Sequence, residues 1–156
     1  MDRSRLSRFV SQPLQELPLE EPILLSPATP VRDAVELMRQ RSASCVLATD
    51  DGRLVGILTE WDVLARCMGD GFDWSQPLDG LLTRSPRTIT PGRSVGEAVA
   101  IMQQHHYRTL PVVEDGRIAG LVRLGDLLTH LAEAYPEEVL NLPPRPHQVM
   151  GRPEGG

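Results

Sequence analysis

The sequence predicts an α/β fold made of two β-α-β-β-α repeats packed as a pseudo-twofold pair. The first observation is internal: a shift of 64 positions lays residues 11–64 over 75–128 without a gap, and about 18 of the 54 pairs are identical. The second is periodicity. Each copy carries an apolar set at helical spacing followed by two β-rich apolar runs. The third is the Asp-Gly pair between those runs in both copies, a hairpin signal. One such unit leaves a sheet face and a helix stripe uncovered, so two units are expected to pack together.

Taken in order, an N-terminal arm spans 1–10 and the first motif spans 11–66. Its opening stretch, Ile23–Ser26, is extended and runs into Pro27; Thr29-Pro30 then supplies an N-cap and a first-turn proline. Val31, Ala34, Val35 and Met38 mark a helix. Cys45–Thr49 and Leu54–Leu58 flank Asp50-Asp51-Gly52, and a final helix starts near Thr59. Residues 67–76, with Gly, Asp and Trp, read as a linker. The second motif, 77–135, repeats the series: Thr88–Thr90, a helix marked by Val95, Ala98, Val99 and Met102, strands at Leu110–Glu114 and Ile118–Val122 around Asp115-Gly116, and a final helix from near Arg123. Residues 136–156 are rich in Pro and Gly and read as a flexible tail, in which Leu140–Pro144 could form a small docking segment. The helices at 31–41 and 95–105 and both final helices are expected to expose apolar stripes beyond what one pair can cover.

Composition narrows the function. The 156 residues are 40% hydrophobic, enough for a core. No apolar run approaches the ~20 residues of a membrane span, and the start lacks the apolar block of a secretory signal. The expectation is a cytoplasmic protein without membrane insertion. Cys45 and Cys67 are not in a CxxC pair, and Cys45 reads as a small core residue in a reducing compartment. The formal charge is −5 and all 16 basic residues are Arg, in no basic block, which argues against a nucleic-acid partner. His105 and His106 are adjacent, so on a helix they point apart, and His130 and His147 are isolated; no metal site is expected. No GxSxG, HExxH, Walker A or GxGxxG pattern occurs, so the chain reads as non-catalytic and without a cofactor. Trp61 and Trp74 are expected at a motif or subunit contact.

Three motifs suggest a family. Val55-Gly56-Ile57-Leu58-Thr59-Glu60-Trp61-Asp62 resembles the C-terminal signature of a CBS motif. Tyr107-Arg108-Thr109-Leu110-Pro111-Val112-Val113, followed by Asp115-Gly116-Arg117, resembles its central signature. Thr83-Arg84-Ser85-Pro86, followed by Thr88-Ile89-Thr90-Pro91, resembles its opening strand. The chain is thus similar to a tandem CBS pair, or Bateman module. That resemblance implies a sensor holding AMP, ADP or ATP, or alternatively S-adenosylmethionine, between the two motifs. It also implies a homodimeric disc. With no other domain-sized segment attached, regulation of a partner protein in trans is expected. The competing reading is an interaction or dimerisation module with empty clefts.

The resemblance also names candidate binding residues. Asp62 and Asp126 fall where the family's Asp contacts ribose, and a carboxylate can accept from both ribose hydroxyls. An acid in a first helical turn is also favourable without any ligand. Thr59, three residues before Asp62, matches a Thr or Ser that helps hold ribose or phosphate in the family, yet Thr-x-x-acid is also close to a capping box. Copy two has Arg123 at this position. An Arg there could bind phosphate, fill the cleft or face solvent. Arg108 matches a position near the phosphates, and Leu24 and Thr88 lie on opening strands whose backbone contacts the base in the family.

Overall fold

The computed structural model describes residues 3–139. An N-terminal helix, α1 (Arg3–Ser11), precedes two series that match from their first long helix onward. The first is β1 (Leu24–Leu25), α2 (Val31–Arg41), β2 (Cys45–Asp50), β3 (Arg53–Thr59) and α3 (Glu60–Arg66). The second is β4 (Thr83–Arg84), α4 (Val95–His105), β5 (Thr109–Glu114), β6 (Arg117–Arg123) and α5 (Leu124–Ala134), followed by the short α6 (Pro136–Val139). The counterpart of β1 in the second series is the bridge of Ile89 to Val112, and β4 is the counterpart of the bridge of Glu20 to Leu121. The architecture is the α/β repeat pair that the sequence predicts. The arm was not predicted to be helical, but Phe9 buries one face of α1. The first four residues of the expected tail are also helical, as α6. The rest of that tail, including Leu140–Pro144, lies outside the described residues.

The hairpins form where Asp-Gly allows them. Asp51 and Gly52 have φ of 51° and 77°, and Asp115 and Gly116 have 51° and 78°, so both residues of each two-residue loop are left-handed. Glycine takes that conformation without cost and Asp tolerates it, and the resulting turn matches the strand twist. Both hairpins carry a register shift at the same place, between Ala48 and Thr49 and between Val112 and Val113. The strands run in the order β1-β2-β3-β6-β5, with the halves meeting at Arg53 opposite Arg117.

The core shows how the halves depend on each other. Leu78, Leu81 and Leu82, which lead into copy two, are buried among Ile23, Val31, Ala34, Met38 and Val46 of copy one. Phe9, Leu14 and Leu17, which lead into copy one, are buried among Val95, Ala98, Met102, Leu110 and Val112 of copy two. The backbone repeats this exchange. Leu14 N–H donates to Arg93 C=O (2.9 Å) and Leu78 N–H to Thr29 C=O (2.9 Å); Gln15 N–H donates to Pro91 C=O (2.9 Å) and Asp79 N–H to Pro27 C=O (3.0 Å). Beyond these contacts, each leader pairs with the other copy's hairpin, one as a strand and one as a single bridge. β4 lies antiparallel on β3, with Arg84 opposite Gly56, and Glu20 bridges Leu121 of β6. A Cβ on Gly56 would lie 2.8 Å from the Leu82 Cβ, so glycine lets the exchanged leader approach closely.

Two expectations change. Pro30, not Thr29, is the N-cap of α2, and it has no side-chain cap. The first amides instead donate to the linker backbone, Val31 N–H to Gln76 C=O (2.9 Å) and Arg32 N–H to Trp74 C=O (3.0 Å), so no hydroxyl is needed. The apolar residues of α2 and α4 face the two cores and do not form an exposed stripe. The surplus apolar surface is on and beside α3 and α5, at Trp61, Leu64, Met68, Leu124 and Leu128.

Because Leu14 is fully buried, Leu14→Ala is expected to cost about 2–5 kcal/mol. Its signature in amide hydrogen exchange is faster exchange in α4 and β5. Protection lost first in β2 and β3 would contradict the exchange of leaders.

Candidate functional site

A cleft of about 670 Å³ opens where the two copies meet. Copy one contributes Ser44, Cys45, Ile57 and the turn from β3 into α3. Copy two contributes the end of α4 (His105, His106), the approach to β5 (Tyr107, Arg108) and the strand residues Thr109 and Pro111, with Thr83, Pro86 and Arg87 of its leader closing one side. Ser44 Oγ and Thr109 Oγ1, 3.3 Å apart, join the two copies by a hydroxyl hydrogen bond.

The turn at Thr59 is built by its own side chains. Thr59 is the extended N-cap of α3, and its Oγ1 accepts from Asp62 N–H (3.2 Å). Asp62 Oδ2 accepts from Thr59 N–H and Thr59 Oγ1, each at 2.9 Å. Asp62 Oδ1 faces the Arg66 guanidinium at 3.3 Å, and the Asp62 side chain is 18% exposed. Arg66 also donates to Leu81 C=O on the exchanged leader. The capping and binding readings of Thr59-x-x-Asp62 therefore coexist: the box orients the carboxylate, and the carboxylate lines the cleft. An ionised carboxylate has about four acceptor sites, so Oδ1 keeps capacity for a sugar hydroxyl.

Across the cleft, α4 ends at His106 in the left-handed region (φ 57°), matched by Ser42 (φ 50°) at the end of α2. That turn directs Tyr107 and Arg108 towards β5. The His105 and Tyr107 rings stack with centroids 5.4 Å apart and 20° between planes. His105 Nε2 is buried without a hydrogen-bond partner among the described residues. Arg87 and Arg108 both line the space, so cationic and aromatic groups face the Asp62 side. Trp61 lines the rim, 75% exposed, in addition to any subunit role. The histidines and Tyr107 escaped sequence reasoning because adjacency on a helix argued only against metal binding. Their position directly before Arg108 was the available signal.

Copy two differs at the equivalent turn. Arg123 is the N-cap of α5 without a side-chain cap. Its Nε donates to Asp126 Oδ2 (2.9 Å) and its second nitrogen to Asp126 Oδ1 (3.2 Å). The guanidinium also forms an ion pair with Glu20 on the exchanged leader. The Asp126 hydrogen bond is the main reason its pKa is raised above the usual value. Of the three uses open to Arg123, the structure shows it held by carboxylates. A smaller cavity of about 350 Å³ between residues 17–20 and α5 includes Asp126 but none of the other candidates.

Thus the structure brings Thr59, Asp62 and Arg108 into one cleft and pairs Arg123 with Asp126 elsewhere. Leu24 and Thr88 line neither cavity. Leu24 sits half-exposed on the sheet-edge strand β1, and Thr88 is exposed next to Ile89, the residue that bridges Val112. The opening segment that reaches the cleft is instead 83–87. Among the described residues no His, Cys, Asp and Glu group could hold a metal ion. No helix among them is long and apolar enough to cross a membrane. Both cysteines are free and buried, and Cys45 combines a core position with a place on the cleft wall.

The sequence profile of the CBS domain matches residues 14–69 and 78–133. The chain is 31% identical over 103 residues to the CBS domain-containing protein YhcV of Bacillus subtilis, covering 66% of this chain and 74% of that protein. It spans 54% and 12% of two further, longer relatives. Among solved structures it superposes on CBSX2 in complex with AMP at a TM-score of 0.69, with 21% identity, covering 78% of this chain and 97% of the other. It superposes on the CBS domain pair of MJ0100, in complex with 5-methylthioadenosine and S-adenosyl-L-methionine, at a TM-score of 0.68, with 21% identity and coverage of 79% and 98%.

Burial pushes the Cys45 thiol up from its ordinary value of 9.0 to about 11. The unfolded chain then ionises this group first, so its contribution to stability is lost as pH rises from about 9 towards about 11. Urea unfolding at pH 8 and pH 10 should show a larger fall for the native protein than for Cys45→Ala. Equal falls would refute the assignment.

Proposed function

The chain belongs to the CBS domain family as a tandem pair, a regulatory module, and from that premise we propose that it is a non-catalytic sensor of adenosine nucleotides, binding AMP, ADP or ATP in the Thr59–Arg108 cleft and signalling to a partner protein in trans. The observation that carries the reading is the meeting of an oriented carboxylate with two guanidiniums across one cleft. Asp62 suits the hydroxyls of a ribose. Arg87 and Arg108 suit phosphate oxygens, with which an Arg makes charge-assisted and often bidentate hydrogen bonds. The stacked His105–Tyr107 pair and Trp61 supply flat apolar surface of the kind a purine uses. The cleft volume lies within the range of small-molecule sites. Structures of the same fold hold AMP in one case and S-adenosyl-L-methionine in another. Here Arg87 and Arg108 offset the Asp62 and Glu60 carboxylates and offer phosphate oxygens their partners, which is why the reading is a nucleotide.

The cleft is formed by both copies, so a ligand in it touches both. If two arrangements of the copies differ in affinity, occupancy shifts the balance between them by that difference. A second chain of the same kind is the proposed reader's platform. Leu64 and Leu128 are each about 60% exposed and occupy equivalent positions, and with Trp61, Met68 and Leu124 they form an apolar surface on and beside the final helices. Burying such a surface against its own copy gives a homodimer.

Thermal unfolding with AMP, ADP, ATP and S-adenosylmethionine tests the site. At ~100 times the dissociation constant a ligand stabilises by about 2.7 kcal/mol, a rise of several degrees for this size. The expected result is a rise with a nucleotide that is lost in Asp62→Ala and reduced in Arg108→Ala. A rise with S-adenosylmethionine alone, or with none of the four, would overturn the reading. For the assembly, light scattering should give twice the chain mass, falling to the chain mass in Leu64→Glu/Leu128→Glu. A monomeric native protein would refute the dimer.

A further inference from the structure

The two halves share a backbone plan but not a site. At the position where copy one has Thr59, copy two has Arg123. Thr59 ends in a short hydroxyl that serves Asp62 and leaves the cleft open. Arg123 instead spans from Asp126, which it grips through two nitrogens, to Glu20 on the leader that lies against β6. In copy one the residue equivalent to Glu20 is Arg84, and it is occupied on the surface with Asp79. So the pairing of Glu20, Arg123 and Asp126 exists in one half alone.

From this asymmetry we infer that Arg123 closes the copy-two half of the module to nucleotide, so that each chain binds one ligand, and that residue 123 is the determinant of this stoichiometry. The inference rests on the proposed nucleotide reading of the copy-one cleft. Three physical points support it. At the turn where copy one presents the short Thr59 hydroxyl, copy two presents a guanidinium that lies across Asp126 and reaches Glu20, so a ribose approaching Asp126 meets a bulkier, charge-assisted contact. Glu20 and Asp126 around one guanidinium leave a net negative cluster, which repels a phosphate, whereas in the other cleft Arg87 and Arg108 match the carboxylates of Asp62 and Glu60. The opposing wall has diverged in the same direction. Residues 64 positions before His105, His106, Tyr107 and Arg108 are Arg41, Ser42, Ala43 and Ser44, so the second half lacks the stacked ring pair as well.

Isothermal titration of the full chain with AMP and with ATP, read as sites per chain, tests the inference. The native protein is expected to give one site, and Arg123→Thr, which restores the copy-one residue, two. Adding Asp62→Ala to Arg123→Thr should return the count to one, now held by the newly opened half. Arg123→Ser gives the same reading if the Thr variant does not fold, since either hydroxyl can cap α5. Two sites in the native protein would overturn the inference. So would a single site in a folded Arg123→Thr or Arg123→Ser chain, while leaving the copy-one reading intact. Absence of binding in the native protein and both variants would remove the nucleotide reading itself, and the inference with it.

Discussion

The exchange of leaders governs the rest of the structure. Leu14 and Leu17 complete the core of copy two, and Leu78, Leu81 and Leu82 complete that of copy one. Neither half has a closed core with only its own contiguous residues. Burying an apolar side chain is worth about 1.5–3 kcal/mol, a large share of the 5–15 kcal/mol by which a domain is stable. The same contacts set the positions of the functional groups. Residues 83–87 reach the cleft beside Asp62 because Leu81 and Leu82 are anchored under β3, and Arg66 ties α3 to that leader through Leu81 C=O. Glu20 is within reach of Arg123 because the other leader is pinned to β6.

Much of this was legible before any coordinates. The 64-residue offset located both copies, and the two Asp-Gly pairs located the hairpins because left-handed backbone at two successive residues restricts which residues can occupy them. Thr59-x-x-Asp62 was readable as a cap, and its placement on the cleft followed from the family resemblance. What could not be read was contact between segments far apart in the chain. A linear offset makes residues 11–20 look like the start of copy one, whereas Leu14 packs in copy two. Thr29 lost its capping role because the linker carbonyls of Trp74 and Gln76 reached the helix first. Leu24 and Thr88 were placed by analogy, and the chain brings Pro86 and Arg87 to the cleft in their stead. The bond from Arg123 to Glu20 joins residues about a hundred positions apart, and no local pattern announces it.

The cleft also joins functions that sequence reading kept separate. Cys45 is both a core residue and part of the wall, and Trp61 lies on the rim beside the apolar surface carried by Leu64 and Leu128. A group bound at Thr59 and Asp62 would therefore sit one helical turn from the surface proposed to meet a second chain. Coupling between the two needs no long route through the protein, since α3 carries both.

The departure at Arg123 has a historical side. The backbone exchanges at Leu14 and Leu78, at Gln15 and Asp79, and at Val95 and Val31 are each made twice by equivalent residues, so two identical half-length chains trading arms could make them. Such an ancestor would carry the same residue at both capping positions, because one gene would encode both. Joining the halves in a single polypeptide lifts that restriction. In one polypeptide, one capping position can keep a threonine while its twin carries a guanidinium, with the same scaffold beneath both.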